Sequence, residues 1–508
     1  MYIRFSVYLG LLALVMVISA ICGTRTIAHE LRIRNVTVVS PERTASFPGA
    51  NVRIVDGKIA EISRSALRGR LTDTEVIDGT GLFLTPGLID SHVHLGMIPG
   101  MTDEQEKLHP EIARAARDQI PRSYLYFGFT TVIDLISSPD LIARWKKHEI
   151  VPDTYFCGGA ALMDGYPMNY APKPARYEAW PYMIVEAGAE SNLPSGVTAA
   201  AHTPEAVVAR MKADGAICVK TFFERGFGGE RNLPVPQLQT IRTLVRAAHA
   251  AGLPVLLHAN ASEAQTFGLD TGVDIIAHGM WHWNETSATT ELTPKVKAIL
   301  DRVVSARVGW QPTIQVLFGE RDLFSTSFLS DPVLARVLPS SLIEWYQTRE
   351  GQWFHDVLAS DQQPASNARA LESLVQAEYA VPIGRVERAT GYLAEHHARL
   401  LFGTDTPSAP TYANPPGLNG WLEMRRLAEA GVTPAQIFQA ATLSNAKAFG
   451  LSREIGTVEV GKRANLLLLE ADPTLSLHAF DVIRKVILKG NVMDPSDLAA
   501  NQSNPPAR

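Results

Sequence analysis

The sequence predicts an α/β protein: a (β/α)8 TIM barrel with a small β-sandwich domain built from both chain ends and a helical insertion between barrel strands seven and eight. Three observations predict it. Short β-rich runs with turn residues occupy the two ends of the chain, and between them apolar runs alternate with helical stretches rich in Ala, Glu, Arg and Leu. The first of these apolar runs ends in two histidines, His92 and His94.

The two β-rich ends are expected to form one sandwich from residues 30–85 and 450–495. The Asp56-Gly57 pair between two alternating runs predicts a hairpin turn. Because each end is too short to bury a sheet face alone, the two ends are expected to pack together.

The middle of the chain, residues 86–449, is predicted to be the barrel. Its strands are assigned to the runs FLTPGLIDSHV, TTVIDLI, TYFCGGA, ICVKTFF, PVLLHAN, DIIAHG, VGWQPTI and ARLLFGTD. The interval from about 317 to 397 is too long for a simple connection and has a helical pattern. It is predicted to be the inserted helical subdomain, lying over the barrel mouth.

Composition favours a small-molecule substrate. The chain has 508 residues, 46% of them hydrophobic, and a formal net charge of -5. This length exceeds what one core usually supports, in line with two domains. No basic run marks a nucleic-acid or membrane surface, so no nucleic-acid partner is expected. Composition leaves a homo-oligomer open.

Residues 1–28 are predicted to be a signal peptide or an N-terminal anchor. Arg4 precedes an uncharged apolar run from Phe5 to Gly23, and a small residue two before Ala28 offers a cleavage site. The run approaches the roughly 20 residues that span a bilayer, so both outcomes stay open. The protein is expected to be exported, either periplasmic or membrane-anchored outside the cytoplasm, with membrane contact through this segment only.

Only Cys157 and Cys218 follow that segment, which excludes a disulfide framework. We expect both to be buried small hydrophobic residues. The alternative is a single disulfide, since the two predicted strands that carry them are neighbours.

Reactive groups in a TIM barrel come from the C-terminal ends of the strands. Residues two apart in a strand project to one side, so His92 and His94 form a pair suited to a shared ion. Other predicted strand ends carry Lys220, His258, His278 and Asp405. Each alone has an ordinary explanation, such as a core histidine or a helix-capping Asp405. Together they predict one functional rim.

Lys220 is the least ordinary of these residues. Its position in ICVKTFF points it with Cys218 into the barrel, where an unpaired ammonium is costly. A carbamate formed with CO2 would turn this cation into an anionic oxygen ligand.

The order of HxH, Lys, His, His and Asp resembles the amidohydrolase superfamily, close to its imidazolonepropionase and prolidase-like branch. The resemblance runs from about Val52 to Val492 through LTPGLIDSHVHL, GFTTVIDL, ADGAICVKTF, GVDIIAHG, QPTI, LLFGTDTP, AATLSNAKAFGL and GTVEVGKRANLLLLEADP. The chain departs from the pattern at Ala277, where many relatives have an acidic residue, and in a larger insertion after Thr313.

The resemblance implies a site with two divalent metal ions. It implies that His92, His94 and Asp405 hold one ion, that His258 and His278 hold the other, and that a Lys220 carbamate bridges the two with a hydroxide. Zinc is the default for imidazole-rich sites, while Mn, Fe and Co stay open. Asp405 would act as the general acid and base.

The activity implied is hydrolysis of an amide-type C–N bond in a dipeptide, an N-acyl amino acid or a cyclic amide. Hydrolysis of lactones or other esters on the same centre is an alternative. A mononuclear deaminase is disfavoured, because deaminases of this superfamily use one metal and lack the bridging lysine. A non-catalytic metal-binding scaffold is the alternative outside enzymes, and a missing ligand would favour it; none is missing.

Four residues are expected to reach the substrate from the rim. They are Arg225, Trp281, His282 and Tyr412, with Trp310 nearby. Arg225 could pair with a substrate carboxylate, and the alternative is a solvated loop charge.

Overall fold

The computed structural model describes residues 30–68, 74–189, 193–227, 231–284 and 288–501. The predicted signal peptide or anchor at 1–28 lies outside them. Among the described residues, no helix has the length and apolarity needed to cross a bilayer.

The strands are β1 (Glu30–Val38), β2 (Phe47–Val55), β3 (Lys58–Ser63), β4 (Thr74–Asp78), β5 (Phe83–Pro86), β6 (Leu88–Val93), β7 (Phe129–Asp134), β8 (Asp153–Ala160), β9 (Cys218–Phe222), β10 (Val255–His258), β11 (Ile275–Ala277), β12 (Gly309–Gln311), β13 (Leu466–Leu469), β14 (Ile483–Leu488) and β15 (Asn491–Met493).

The α-helices are α1 (Asp103–Leu108), α2 (Pro110–Tyr126), α3 (Pro139–Trp145), α4 (Ala175–Ala179), α5 (Pro204–Ala213), α6 (Leu238–Ala250), α7 (Ser262–Thr271), α8 (Pro294–Ala306), α9 (Ile314–Asp322), α10 (Leu334–Val337), α11 (Ser340–Tyr346), α12 (Trp353–Ser360), α13 (Ala368–Glu395), α14 (Leu418–Glu429), α15 (Pro434–Gln439), α16 (Asn445–Ala448) and α17 (Pro495–Leu498).

Both chain ends join in one mixed sheet of order β15-β14-β13-β5-β1-β2-β3, with β4 beside β1. The hairpin predicted at Asp56-Gly57 is confirmed: both residues have positive φ, 49° and 74°, between β2 and β3. The sheet encloses its own core of Leu31, Ile33, Val36, Val38, Ala50, Val52, Ile54, Ile59, Leu84, Val458, Ala464, Leu466, Leu468 and Ile487.

The structure differs from a sandwich of two separate sheets, because this single sheet rolls back on itself. At the β3 edge, the Ile59 amide donates to the Lys462 carbonyl at 2.9 Å, and the Ala464 amide donates to the Gly57 carbonyl at 2.8 Å. Irregular register along β1, which lets it pair first with β4 and then with β5, accounts for the bend.

The middle sheet is parallel, with β6 to β12 adjacent in chain order. The predicted eighth strand follows as a segment with two isolated parallel bridges, Trp310 to Leu400 and Val93 to Thr406. Its Leu401 amide donates to the Trp310 carbonyl at 2.9 Å, and its Asp405 amide donates to the His92 carbonyl at 2.7 Å. This segment therefore joins β12 to β6 and closes a TIM-barrel-like structure.

Cys157 and Cys218 form a disulfide, so the expectation of two unpaired buried residues was wrong. The two cysteines are direct partners in the pairing of β8 with β9, and their Cα atoms are 4.5 Å apart. That separation is within the range a disulfide spans. The bridge belongs to a buried cluster in which Ile89, Ile133, Leu256, Ile275 and Leu401 also take part.

Helices α9 to α13 fill the interval between β12 and the closing segment, where the insertion was predicted at about 317–397. They contact the loop that follows His94. The indole of Trp353 donates to the Gly100 carbonyl at 2.9 Å, and the Tyr346 hydroxyl donates to the Pro99 carbonyl. The insertion thus packs against the loop that follows His94 at the barrel mouth.

Candidate metal centre

The structure brings the strand-end residues together at one end of the barrel. His92 is in β6 and His94 directly follows it; Lys220 is in β9, while His258 and His278 end or follow β10 and β11. Asp405 lies in the closing segment, bonded through its amide to the His92 carbonyl.

One group of three side chains can hold a metal ion. The Asp405 Oδ1 atom lies 3.0 Å from His92 Nε2 and 2.8 Å from His94 Nε2. One ligand atom from each of the three lies within 4.8 Å of the others. Two imidazole nitrogens and a carboxylate oxygen are a donor set that suits zinc and other divalent transition metals.

Protonation states in this group favour ligation. Burial raises the pKa of the Asp405 carboxyl, but the adjacent imidazoles of His92 and His278, with hydrogen bonds from His92 and His94, outweigh it and hold that pKa well below its usual value. Burial, reinforced by the charge of Lys220, lowers the pKa of His92 to about 3. The carboxylate is therefore ionised and the imidazole neutral near pH 7, as metal ligands must be.

His258 and His278 form the second pair. Their ring centroids are 4.4 Å apart, and His278 Nδ1 lies 3.7 Å from Asp405 Oδ2. Burial lowers the pKa of both imidazoles, most strongly at His278. The ring of His278 also lies 5.1 Å from that of His92, so the two pairs adjoin through Asp405 and these rings.

Lys220 is fully buried, and its Nζ has no hydrogen-bond partner among the described residues. Burial lowers the pKa of its amine to about 7, although Asp405 acts in the opposite direction. Its charge also influences the pKa of His92, His258 and His278, which places the amine near both histidine pairs. An unpartnered buried amine is costly, so this atom calls for a bound group.

Three residues of the site have left-handed backbone conformations that non-glycine residues rarely adopt. The φ angles are 75° at His278, 57° at Asp405 and 47° at Thr313. The Thr313 hydroxyl lies 3.1 Å from His278 Nδ1. Such conformations cost about 1–3 kcal/mol each and collect at functional sites.

Supporting carboxylates were not singled out from the sequence. Asp90 accepts from the Thr404 hydroxyl at 2.7 Å, and burial raises its pKa to about 7. Asp134 accepts from the Leu95 amide at 3.0 Å and lies 4.0 Å from His94 Nδ1. Asp134 ends β7, so strand-end placement was a signal that could have found it.

Three residues at the barrel mouth were also missed. The Tyr166 ring lies 4.7 Å from that of His258, and Glu224 Oε2 lies 3.4 Å from His258 Nε2. Glu320 is on α9, in the insertion, and accepts from the Tyr379 hydroxyl at 2.9 Å. Tyr166 and Glu320 lie in a loop and a helix without any recognisable motif.

Two of the predicted substrate residues lie beside the site. The Trp281 ring is 5.8 Å from His278, and the half-buried His282 ring is 6.4 Å from Trp281. Tyr412 instead packs within the insertion: its hydroxyl donates to the Leu323 carbonyl at 3.1 Å. Trp310 is fully buried in the main core.

Arg225 pairs with Glu263 at 2.8 Å, and its side chain is 49% exposed. Its role toward a substrate carboxylate stays a prediction. We expect Arg225→Ala to raise KM about tenfold for carboxylate-bearing substrates and much less for their amides, because it removes a charge-assisted contact. Glu263→Gln is the matched control, since it frees the guanidinium and should lower that KM. Equal effects of Arg225→Ala on both series, measured by steady-state kinetics, would remove Arg225 from recognition.

The amidohydrolase family model matches residues 83–277 and 364–493. A dihydroorotase of Solibacter usitatus (strain Ellin6076) is 25% identical over 226 residues, which are 44% of this chain and 41% of that protein. The alignment thus spans less than half of this curated relative.

Solved structures share the fold. An amidohydrolase aligns over 92% of this chain and 99% of its own, with 20% identity and a TM-score of 0.63. A Xaa-Pro dipeptidase with methionine bound in its active site aligns over 92% and 100%, with 18% identity and a TM-score of 0.60. Together with the family model, which covers more than half of the sequence, these observations establish that the chain belongs to the amidohydrolase family.

Proposed function

We propose that this protein is a binuclear metal-dependent hydrolase of amide-type C–N bonds in small molecules. The observation that carries the proposal is the convergence of two histidine pairs on Asp405, with the unpartnered amine of Lys220 buried beside them. Family membership supports metal-dependent hydrolysis, and the likeness to a dipeptidase structure favours a peptide-like amide.

The residues present fit two divalent ions. His92, His94 and Asp405 would hold one, and His258 and His278 would hold the other; zinc suits these donors best. Bound there, the ions would supply Lewis acidity toward the scissile carbonyl and lower the pKa of a water molecule.

Lys220 would complete the set as a carbamate. A neutral amine attacks the carbon of CO2 and loses a proton, which leaves an N–C bond and a carboxylate with two ligand oxygens. The pKa of about 7 that burial imposes on Lys220 makes the neutral amine abundant at neutral pH. The carbamate would also explain why Lys220 is buried although its Nζ has no hydrogen-bond partner among the described residues.

Asp405 is the proposed general acid and base. Its carboxylate accepts from His94 and lies against His92, which keeps it ionised and ready to take a proton from the attacking water. It then delivers that proton to the leaving nitrogen. Trp281 and His282 would shield the bound substrate from solvent.

The alternatives use the same residues differently. Lactones or other esters could be opened on this centre, and only substrate comparison separates these bonds. A mononuclear deaminase or a non-catalytic metal-binding scaffold gives no reason for burying an unpartnered Lys220 amine next to two histidine pairs.

We also propose that the protein acts outside the cytoplasm, periplasmic or anchored through residues 1–28. The Cys157–Cys218 disulfide supports this proposal, because disulfides persist chiefly in oxidising compartments.

The test is metal content together with a substrate panel. We expect close to two metal ions per chain by elemental analysis, and hydrolysis of some dipeptides, N-acyl amino acids or cyclic amides in preference to matched lactones and esters. Adenine and cytosine serve as deamination controls. One ion per chain with ammonia release from a base would favour the deaminase, and metal binding without turnover of any compound would favour the scaffold.

A further inference from the structure

Glu320 is a half-buried carboxylate on α9, in the helical insertion. Within the described parts of the chain, no lysine, arginine or histidine lies within ion-pair distance of it, and the Tyr379 hydroxyl is its one side-chain hydrogen-bond donor. A carboxylate offers about four acceptor positions, so most of those on Glu320 are open to a ligand.

The position of Glu320 on α9 turns it toward the barrel mouth. Thr313, the residue that precedes α9, touches His278 with its hydroxyl at 3.1 Å. Glu320 is seven residues further on, close to two helical turns, and so lies on the same face of α9 roughly 10 Å along its axis. The face of α9 that begins beside the proposed metal ligand His278 therefore carries the Glu320 carboxylate toward its other end.

Electrostatics agree with this placement. Burial, and to a smaller extent the charge of Asp405, raises the pKa of Glu320 to about 7. The charges of Asp405 and Glu320 in turn both add to the effect of burial in raising the pKa of Tyr166, whose ring packs on His258. Glu320 and Asp405 thus both influence the pKa of Tyr166, and Asp405 influences that of Glu320.

A partly buried carboxylate with no counter-charge of its own is unfavourable unless it is protonated or binds a cation. The start of α9 is held firmly, because the buried Glu423 accepts from the Ile314 and Gln315 amides at 3.1 and 2.7 Å. Near the other end of α9, the Tyr379 hydroxyl donates to the Glu320 carboxylate and holds it in place. Glu320 is therefore pre-positioned to bind a ligand.

We propose that Glu320, supported by Tyr379, binds a protonated amine of the substrate, so that this enzyme selects amides that carry an ammonium group. The inference rests on the proposed hydrolysis at the metal centre and adds the class of substrate. An ammonium donates to the open carboxylate positions and supplies the missing counter-charge.

The test uses acyl derivatives of L-leucine in matched pairs that differ only in the amine. L-Alanyl-leucine is paired with propionyl-leucine, and 6-aminohexanoyl-leucine with hexanoyl-leucine, so that the amine lies near or far from the scissile bond. Binding is measured by calorimetry on the metal-free protein left after chelation, which cannot turn the compounds over, and KM, kcat and metal content are measured on the metal-loaded protein.

We expect at least one amine-bearing compound to bind about tenfold to a hundredfold more tightly than its partner. Glu320→Gln should remove that difference in affinity. It should leave the affinity for the amine-free compound and the metal content unchanged. Tyr379→Phe should reduce the same difference in affinity without removing it. Glu372→Gln is the matched control, because this half-buried glutamate of α13 bonds, among the described residues, to Thr326 and Gln376.

Three outcomes would overturn the inference: no pair shows discrimination, Glu320→Gln weakens both members equally, or Glu320→Gln loses a metal ion and so makes Glu320 a ligand. These are separable from failure of the proposed reaction. Discrimination in binding without hydrolysis of any compound would contradict the reaction and leave the ammonium site standing. Hydrolysis of both members of a pair with equal KM would support the proposed reaction and contradict the ammonium site.

Discussion

Lys220→Ala should lower the hydrolytic rate by several orders of magnitude and release the second metal ion before the first. The variant removes the ligand that we propose both ions share, but His92, His94 and Asp405 still provide three donors for one of them. His258 and His278 alone provide only two. Loss of the second ion removes the joint activation that a two-metal centre gives to water and carbonyl.

Small carboxylic acids should partly rescue this variant. Truncation at Lys220 opens a buried space, and propionate or acetate at high concentration can place two carboxylate oxygens there. Part of the rate and of the metal content should return together. Lys220→Arg is the matched control and should not respond, because its guanidinium fills the space and offers no ligand.

The competing explanation is that Lys220 is an ammonium that stabilises the fold. Asp405 raises the pKa of Lys220 but burial outweighs it, and Nζ has no hydrogen-bond partner among the described residues, so little stabilisation would be lost with the ammonium. Metal content, melting temperature and rate, each measured with and without propionate, separate the two explanations. A folded Lys220→Ala protein with two metal ions and near-normal turnover would refute the carbamate.

The barrel and the positions of the proposed metal ligands follow from local sequence. Each apolar run ends where a polar residue appears, and parallel strands bring such ends to one rim, so His92, Lys220 and His258 could be assigned before any contact was known. The turn at Asp56-Gly57 is equally local.

Other features depend on long-range register. The Cys157–Cys218 bond exists because β8 and β9 align these two residues directly, and residue spacing alone does not fix that alignment. The rolled sheet depends on irregular pairing along β1.

Rim residues also depend on side-chain direction. Tyr412 was expected to reach the mouth, and its hydroxyl bonds to the Leu323 carbonyl of the insertion. Glu320 belongs to the same helical insertion, which has no strand-end landmark.

Removal of metal should abolish hydrolysis without unfolding the protein. The end sheet has its own core, and the barrel interior beneath the site is filled by an apolar cluster that includes the Cys157–Cys218 disulfide. Neither core contains a proposed ligand. Far-ultraviolet circular dichroism should therefore be unchanged after prolonged chelation, while the melting temperature falls, because ions that bind only the folded state stabilise it.

Added Zn or Mn should restore the rate, with a second ion required for full recovery. A chelator already saturated with Zn is the control for direct inhibition and should have no effect.

The dependence on added metal also tests which residues bind the first ion. Asp405 contacts His92 and His94 closely but lies 3.7 Å from His278. The first ion should therefore bind to the group of His92, His94 and Asp405. His258→Ala should then keep about one ion per chain, whereas His92→Ala should weaken both sites because its ring adjoins His278 at 5.1 Å. Turnover that persists after chelation has removed all measurable metal would rule out the metal-dependent mechanism, because His94, Asp405 and their neighbours would then have to activate water unaided.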